Sequence, residues 1–288
     1  MANMITDERL LIAKPFLKYP GGKGQLLPEL EKHVPEKMGR YYEPFMGGAA
    51  LFFHLSGKRR AGDNPLWATL NDANEDLVCT FKVVQENPEL LISILSKYAG
   101  RYKVEGEKLF YEVRDYDTRG MLHAERAARF IFLNRTCYNG MVRYNRSGGF
   151  NVPHGKYKNP TICDPLTLMS ASDALRGANI FQGDFEKLVA LAKRGDFVYF
   201  DPPYIPAGGE ADFTSYTPGG FKVEEHERLR DVALTLKERG VSVLLSNADV
   251  PLARKLYSKG FERRTVQARR NVNSNTKRRG PVGELLIW

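Results

Sequence analysis

Two kinds of apolar pattern alternate along the chain. Short unbroken apolar runs end at glycine, proline or an acid, and longer stretches follow in which apolar positions recur at helical spacing. The first kind reads as a strand buried on both faces, the second as an amphipathic helix laid over it. "RYYEPFMGGAALFFHL" (40–55) is an aromatic run, a glycine-pair turn and an apolar helix. "ANIFQGDFEKLVALAKRG" (178–195) is a strand ending near Gly183, with Asp184 placed to cap the helix after it. "FVYFDPPYIP" (197–206) opens a third unit, whose helix repeats Leu229, Val232, Ala233 and Leu236. "VSVLLSNADV" and "PLARKLYSKGF" add a further strand and helix. The alternation predicts an α/β fold, a mostly parallel sheet with helices on both faces.

From about Glu75 to Asp164 the pattern changes. "EDLVCTFKVVQ", "PELLISILSKYA", "GEKLFYEVRDYD" and "HAERAARFIFLNR" are all of helical period. "TCYNGMVRYNRSGGFNVPHGKYKNP" then brings turn residues, aromatics and cations together. This predicts a helical insert, 76–164, that ends in a β-hairpin or long loop. It interrupts a domain built from 1–75 and 165–288. A chain of 288 residues has room for one large α/β domain with such an insert.

Composition adds limits. Apolar residues make up 42% and charged residues 27%, enough for a core that needs no disulfides. The cysteines Cys79, Cys137 and Cys163 are odd in number and far apart, and no Cys/His cluster occurs, so no metal is expected. The start, "MANMITDERLLIAKP", is charged and unlike a signal peptide, and no run of about 18 apolar residues suggests a membrane span. A reducing cytoplasm is the expected compartment. The net charge of +9 fits either a polyanion partner or a merely soluble surface. Its clustering favours the former. Arg135, Arg143, Arg146, Lys156 and Lys158 fall in one segment, and Arg263, Arg264, Arg269, Arg270, Lys277, Arg278 and Arg279 in another.

Three motifs carry candidate chemistry. Asp201 stands at the carboxyl end of a predicted strand, where open parallel sheets bind ligands. Pro202 and Pro203 remove backbone donors, so the carbonyls of Asp201 and Pro202 are available to an NH2 group, and Tyr204 offers a ring for stacking. The other reading is a plain Pro-Pro turn. The turn in "EPFMGGAALFF" lets a ligand approach the backbone at Gly47 and Gly48, and Asp72 in "ATLNDANEDL" is suited to ribose hydroxyls. Together they suggest an adenosine-containing ligand without a pyrophosphate; a glycine turn and a helix-capping Asp remain open. Lys23, after a glycine pair, could hold a carboxylate or stand in solvent.

Together these stretches resemble the Dam-type, class α, DNA adenine-N6 methyltransferases. "LKYPGGK" is similar to the family's N-terminal cofactor motif, "EPFMGGAALF" to its S-adenosylmethionine loop, "LNDAN" to its ribose-binding acid and "DPPY" to its catalytic tetrapeptide. "NRTCYNGMVRYNRSGGFNVPHGKY" resembles the recognition hairpin of GATC-specific members, and "RRNVNSN…ELLIW" their C-terminal end. The order of motifs matches, over nearly the whole chain from about Phe16 to Trp288. Pro20 stands where relatives often carry a small residue, and the approach to Asp72, "GKRRAGDNPLWATLND", is longer than the family pattern.

The resemblance implies a Rossmann-like methyltransferase sheet and a role for each matching residue. Tyr19, Lys23, Glu43, Pro44, Phe45, Gly47, Asp72, Asp184 and Asp201 would line the S-adenosylmethionine site. Lys23 would lie near the methionine end, Asp72 at the ribose and Asp184 near the adenine. Asp201, Pro202, Pro203 and Tyr204 would be catalytic, gripping and stacking on a flipped target adenine. Lys18, Arg135, Tyr138, Asn139, Met141, Arg143, Asn145 and Pro153 would meet double-stranded DNA. It implies no metal, no membrane and no obligate protein partner, and a monomer in a bacterial or phage-infected cytoplasm. The same chemistry could act on cytosine N4 or RNA adenine, and a non-catalytic DNA-binding module is the alternative of another class. Asp201, where cytosine enzymes more often carry Ser, argues against the first. The complete set Lys23, Asp72, Asp201 and Tyr204 argues against the last.

Overall fold

The computed structural model describes residues 13–19, 21–58, 64–206, 221–269 and 281–288. Pro20, residues 59–63 on the approach to Asp72, and Arg270, Lys277, Arg278 and Arg279 of the second basic cluster lie outside the described residues. Arg263 and Arg264 of that cluster are exposed.

Seven strands form one sheet among the described residues: β1 (Tyr41–Glu43), β2 (Ala68–Asp72), β3 (Ala178–Gln182), β4 (Phe197–Phe200), β5 (Ser242–Ala248), β6 (Arg263–Arg269) and β7 (Pro281–Ile287). Their order is β3-β2-β1-β4-β5-β7-β6. The first five are parallel, and β7 runs antiparallel between β5 and β6. The unbroken apolar runs follow from this. Every residue of β4 is buried, and successive side chains enter opposite layers. Tyr41, Phe197 and Tyr199 join the layer that holds α2 (Ala50–Gly57) and the insert. Tyr42, Val198 and Phe200 join the layer of α8 (Phe185–Val189), α9 (Val223–Glu238) and α10 (Pro251–Leu256). A short α1 (Leu27–Glu31) precedes β1, and α7 (Pro165–Leu175) leads into β3. The cap predicted at Asp184 is present: its Oδ1 accepts from the Glu186 N–H at 3.0 Å.

The insert contributes α3 (Glu75–Glu86), α4 (Pro88–Glu105), α5 (Glu107–Arg114) and α6 (His123–Thr136). Its buried side chains run without a break into those of one sheet layer. After α6 comes a 3-10 turn, Tyr138–Gly140, and then a long loop. The hairpin expected there is reduced to two antiparallel bridges, Cys137–His154 and Tyr144–Phe150. Local chemistry explains the difference. Asn139, Gly140 and Gly148 adopt positive φ, which interrupts a ladder. The Asn145 side chain takes the Ser147 and Gly149 N–H groups that a hairpin would otherwise use.

Asn134 fastens this loop to the N-terminal segment. Fully buried on α6, it donates to the Lys18 and Gly140 carbonyls at 2.6 and 3.0 Å and accepts from the Lys18 N–H at 2.9 Å. Asn134→Ala leaves one buried and two part-buried backbone groups without this partner. It should lower stability by about 1–3 kcal/mol, measured by urea unfolding; an unchanged midpoint would show that the segment is held by other contacts.

Candidate active site

The strand order reverses between β1 and β4, because β2 and β3 extend the sheet on one side of β1 and β4 pairs on the other. Ligands bind beyond the carboxyl ends at such a point. Here those ends are Glu43, last residue of β1, and Asp201, the residue after β4.

Asp201 meets a buried cation. Lys23, 6% exposed, brings Nζ to 2.8 Å from Asp201 Oδ2 and donates to the Gly21 carbonyl at 2.8 Å. The same ammonium lies 4.9 Å from the centre of the Tyr204 ring and 3.8 Å from Glu284 Oε1. The Tyr204 hydroxyl donates to Glu284 Oε1. Burial raises the Asp201 pKa above the usual carboxylate range, and the Lys23 charge and hydrogen bond oppose that rise. Asp201 Oδ1 is buried and has no hydrogen-bond partner among the described residues. Pro202 is buried and Pro203 half-buried beside it.

Glu43 is 2% exposed and accepts from the Tyr41 hydroxyl at 2.9 Å. Burial pushes its carboxyl up to about 8, with Tyr41 and Lys23 opposing and Asp201 adding to the rise. After Glu43 the chain turns through Pro44 and Phe45 into α2. Gly47 needs its missing side chain: φ is +46°, and a Cβ would lie 2.9 Å from Tyr19 Cδ1. The tyrosine ring thus packs against the turn. Asp72, at the end of β2, accepts from the Gly47 N–H at 3.1 Å and from the Asn74 N–H at 2.9 Å. Its carboxylate therefore shapes the turn, whatever else it binds. Burial raises its pKa, and these N–H groups oppose the rise. Asn71 ties the neighbouring strand ends together, donating to the Pro44 and Gly183 carbonyls at 2.9 and 3.0 Å.

A cleft of about 470 Å³ opens beside this turn, lined by Phe45, Phe185 and Phe221 together with Asn71, Asp184 and Arg228. Phe45 stands 5.3 Å from Phe185 and 5.5 Å from Phe221, centre to centre. Asp184 lies on the rim with both oxygens engaged by the Arg228 fork at 3.0 and 2.7 Å, which lowers its pKa.

The residues expected at DNA divide into two groups. Tyr138, Arg143, Asn145 and Pro153 are exposed on the long loop, with Asn139 and Met141 half-buried. Arg143 is held by Asn151, Nε on Oδ1 at 2.7 Å and Nη2 on the carbonyl at 3.2 Å. Lys18 is exposed nearby, its ammonium 4.5 Å from the centre of the Tyr157 ring. Arg135 differs: it is half-buried on α6 and donates to the Phe16 carbonyl at 2.7 Å. Its guanidinium serves the interior, as a cation on a mostly apolar helix face can.

Sequence reasoning did not single out Glu284, Arg228 or Asn71. The acid in "GELLIW" offers a signal, since an acid inside an apolar strand must find a buried partner. Among the described residues no group of three His, Cys, Asp or Glu side chains could hold a metal ion, and no helix is long and apolar enough to cross a membrane.

The family description "D12 class N6 adenine-specific DNA methyltransferase" matches residues 19–272. The chain belongs to that family. It is 42% identical over 281 residues to the Type II methyltransferase M1.LlaDCHI of Lactococcus lactis subsp. cremoris, covering 95% of this chain and 94% of that one. To the Type II methyltransferase M.MjaIII of Methanocaldococcus jannaschii it is 39% identical over 288 residues, covering 95% and 98%. To the DNA adenine methylase of Escherichia coli (strain K12) it is 32% identical over 273 residues, covering 95% and 94%. A D12-class methyltransferase acts on the exocyclic nitrogen of adenine in DNA. The acid, prolines and tyrosine of "DPPY" stand at the switch point of the sheet, where open parallel sheets bind ligands.

Glu43 gives this D12-class site a measurable pH signature. Its folded pKa of about 8 lies above the ordinary value of 4.5. Across that window the unfolded chain has released the proton and the folded chain keeps it, so stability falls as pH rises. The thermal midpoint of the wild type should therefore fall relative to that of Glu43→Gln between pH 5 and pH 9. Parallel curves would mean that Glu43 is ionised in the fold.

Proposed function

We propose that this enzyme transfers a methyl group from S-adenosylmethionine to adenine N6 within GATC in double-stranded DNA, acting on a flipped base by direct transfer that breaks the sulfur–methyl bond, leaves S-adenosylhomocysteine and releases one amino proton to solvent. The observation that carries the reading is Asp201 Oδ1, a buried acceptor with no partner among the described residues, at the switch point beside Tyr204.

The chemistry of the site suits this reaction. The lone pair of an adenine amino group is delocalised into the ring, which makes it a poor nucleophile. Asp201 Oδ1 and the Pro202 carbonyl can each accept one amino hydrogen. Two such bonds draw the nitrogen towards tetrahedral geometry and localise its lone pair. Asp201 must be anionic to do this, and Lys23 at 2.8 Å opposes the effect of burial on its pKa. Pro203 stiffens the turn, and Tyr204, fixed through its hydroxyl to Glu284, would stack on the base. Flipping costs roughly a few kcal/mol, which stacking offsets.

The cleft fits the cofactor. Three phenylalanine rings suit an adenine, and Asp184 is on the rim beside them. Asp72 would take the ribose hydroxyls with lone pairs not used by Gly47 and Asn74. Tyr19, Lys23, Glu43, Pro44, Phe45 and Gly47 would hold the methionine end. S-adenosylmethionine supplies, when bound, a methyl group activated on a sulfonium. A pocket that sets the carboxyl groups of Asp201 and Glu284 against one lysine suits such a cation.

The segment 76–164 would be the recognition module, inserted into a catalytic domain of 1–75 and 165–288. Tyr138, Asn139, Met141, Arg143, Asn145 and Pro153 would approach the duplex with Lys18. Arg135 would act as a buttress. The enzyme would work as a monomer in the cytoplasm of a bacterial or phage-infected cell. Mapping modified adenines in genomic DNA from cells expressing the chain tests the substrate. Modification confined to GATC is expected, and methyl transfer to cytosine or duplex RNA alone would overturn the reading.

Asp201→Ala should lower turnover by about a thousandfold while cofactor and DNA affinities stay within about tenfold. Asp201→Asn, which keeps the volume, should behave alike; near-normal turnover in both would remove Asp201 from the reaction. Arg143→Ala should relax selection at one guanine of GATC, since a bidentate Arg–guanine contact discriminates by about 1–3 kcal/mol. A uniform loss across sequences with a flatter salt slope would instead assign Arg143 to a phosphate.

A further inference from the structure

The loop that carries Arg143 is bolted to the cofactor-side edge of the sheet by one phenol. The Tyr144 hydroxyl donates to Asp76 Oδ2 at 2.6 Å and lies 3.5 Å from Asn74 Oδ1. Asp76 is 7% exposed, and its other oxygen accepts from Arg126 Nε at 2.5 Å. Asn74 caps α3 by accepting from the Leu77 N–H at 3.2 Å, and its own N–H donates to Asp72. Asp72 in turn holds the Gly47 N–H. Hydrogen bonds thus link the glycine turn, Asp72 and Asn74, and the phenol fastens the recognition loop to Asp76, two residues further along the same helix start.

On the loop side the attachment is equally defined. Tyr144 bridges to Phe150, and the two rings meet edge to face at 6.0 Å and 89°. Arg143 and Asn151 are joined by a backbone hydrogen bond at 3.0 Å as well as through the guanidinium. Val142, Phe150 and Val152 are buried and give the loop its depth. Apolar contacts of that kind are non-directional and tolerate small slides. A phenol on a buried carboxylate is directional and does not.

We propose that Tyr144 is a positioning residue for target recognition: its bond to Asp76 fixes the Arg143 loop on the start of α3 and links base discrimination to the cofactor-side turn. The proposal rests on the reading of Arg143 as a guanine reader. The loop must hold Arg143 steady for its fork to meet O6 and N7 of guanine together and so tell guanine from adenine. The same anchor makes ordering of the loop on DNA felt at Asn74 and Asp72, and the coupling is reciprocal by linkage.

The test compares wild type, Tyr144→Phe and Arg143→Ala. For each, kcat/KM is measured on a GATC duplex and on a duplex with the guanine replaced. Calorimetry gives the affinity for S-adenosylhomocysteine with and without the GATC duplex, and thermal midpoints are recorded. Tyr144→Phe removes one oxygen and keeps the ring. It should cut the ratio of the two kcat/KM values about tenfold, and cut the duplex-induced tightening of S-adenosylhomocysteine at least about threefold. Affinity without DNA should stay within about twofold. The proposal is overturned if ratio and tightening match wild type, if wild type shows no tightening, or if both rates fall together with a lowered midpoint. If Arg143→Ala also leaves the ratio unchanged, the guanine reading fails and takes this proposal with it. If Arg143→Ala relaxes the ratio and Tyr144→Phe does not, only the role of Tyr144 fails.

Discussion

Lys23 holds its ammonium 2.8 Å from Asp201 and 3.8 Å from Glu284 in a place that water barely reaches. Removing an ion from water costs several kcal/mol, and pairing Lys23 with Asp201 and Glu284 offsets that cost. Glu43 makes a third acid in the same neighbourhood, and the charges do not balance if all three are ionised. The fold resolves this by burying Glu43 with the Tyr41 hydroxyl and raising its pKa to about 8, so that it carries a proton at neutral pH. Lys23 then faces Asp201 and Glu284, and its charge and hydrogen bond oppose the rise that burial gives the Asp201 pKa. Tyr204 depends on the same balance, because its hydroxyl is held by Glu284 and its ring lies beneath Lys23.

Strand topology makes this cluster possible. Lys23 lies before β1, Glu43 ends β1, Asp201 follows β4 and Glu284 comes from β7, near the end of the chain. Only a sheet in which β4 lies beside β1, and β7 folds back antiparallel on β5, brings them together. Ala248 pairs with Glu284, which puts that acid at the carboxyl end of β5, level with the active edge. The antiparallel strand is thus a way of delivering a carboxylate from the far end of the sequence to the ends of parallel strands.

What was legible in the sequence follows from this. The strands, the α8 cap and the motifs at Glu43–Gly47 and Asp201–Tyr204 are local patterns, readable because period and turn chemistry reside in adjacent residues. Glu284 was not, because its importance lies in a register with β5 across more than thirty intervening positions. The inward bond of Arg135 was not legible for a related reason: a basic residue in a basic segment carries no sign of which way its helix turns it. The structure directs it to the Phe16 carbonyl. The hairpin or long loop was read from turn residues that do favour reversal, and the Asn145 side chain and the positive φ angles of Asn139, Gly140 and Gly148 decide for the loop by breaking the ladder.

The position of the insert has a mechanical consequence. α3 begins at the carboxyl end of β2, three residues past Asp72, so the insert departs from the active edge itself. It returns through α7 to β3, the neighbour of β2. Both roots of the insert therefore stand on adjacent strands, and its buried side chains continue those of the sheet. A module rooted in this way cannot pivot freely, as one on a flexible linker would. Freedom of movement is left to the loop after α6, where Asn139, Gly140 and Gly148 adopt positive φ. Packed helices fix the insert, and side-chain bonds at Asn134, Asn151 and Tyr144 set the position of the loop on it.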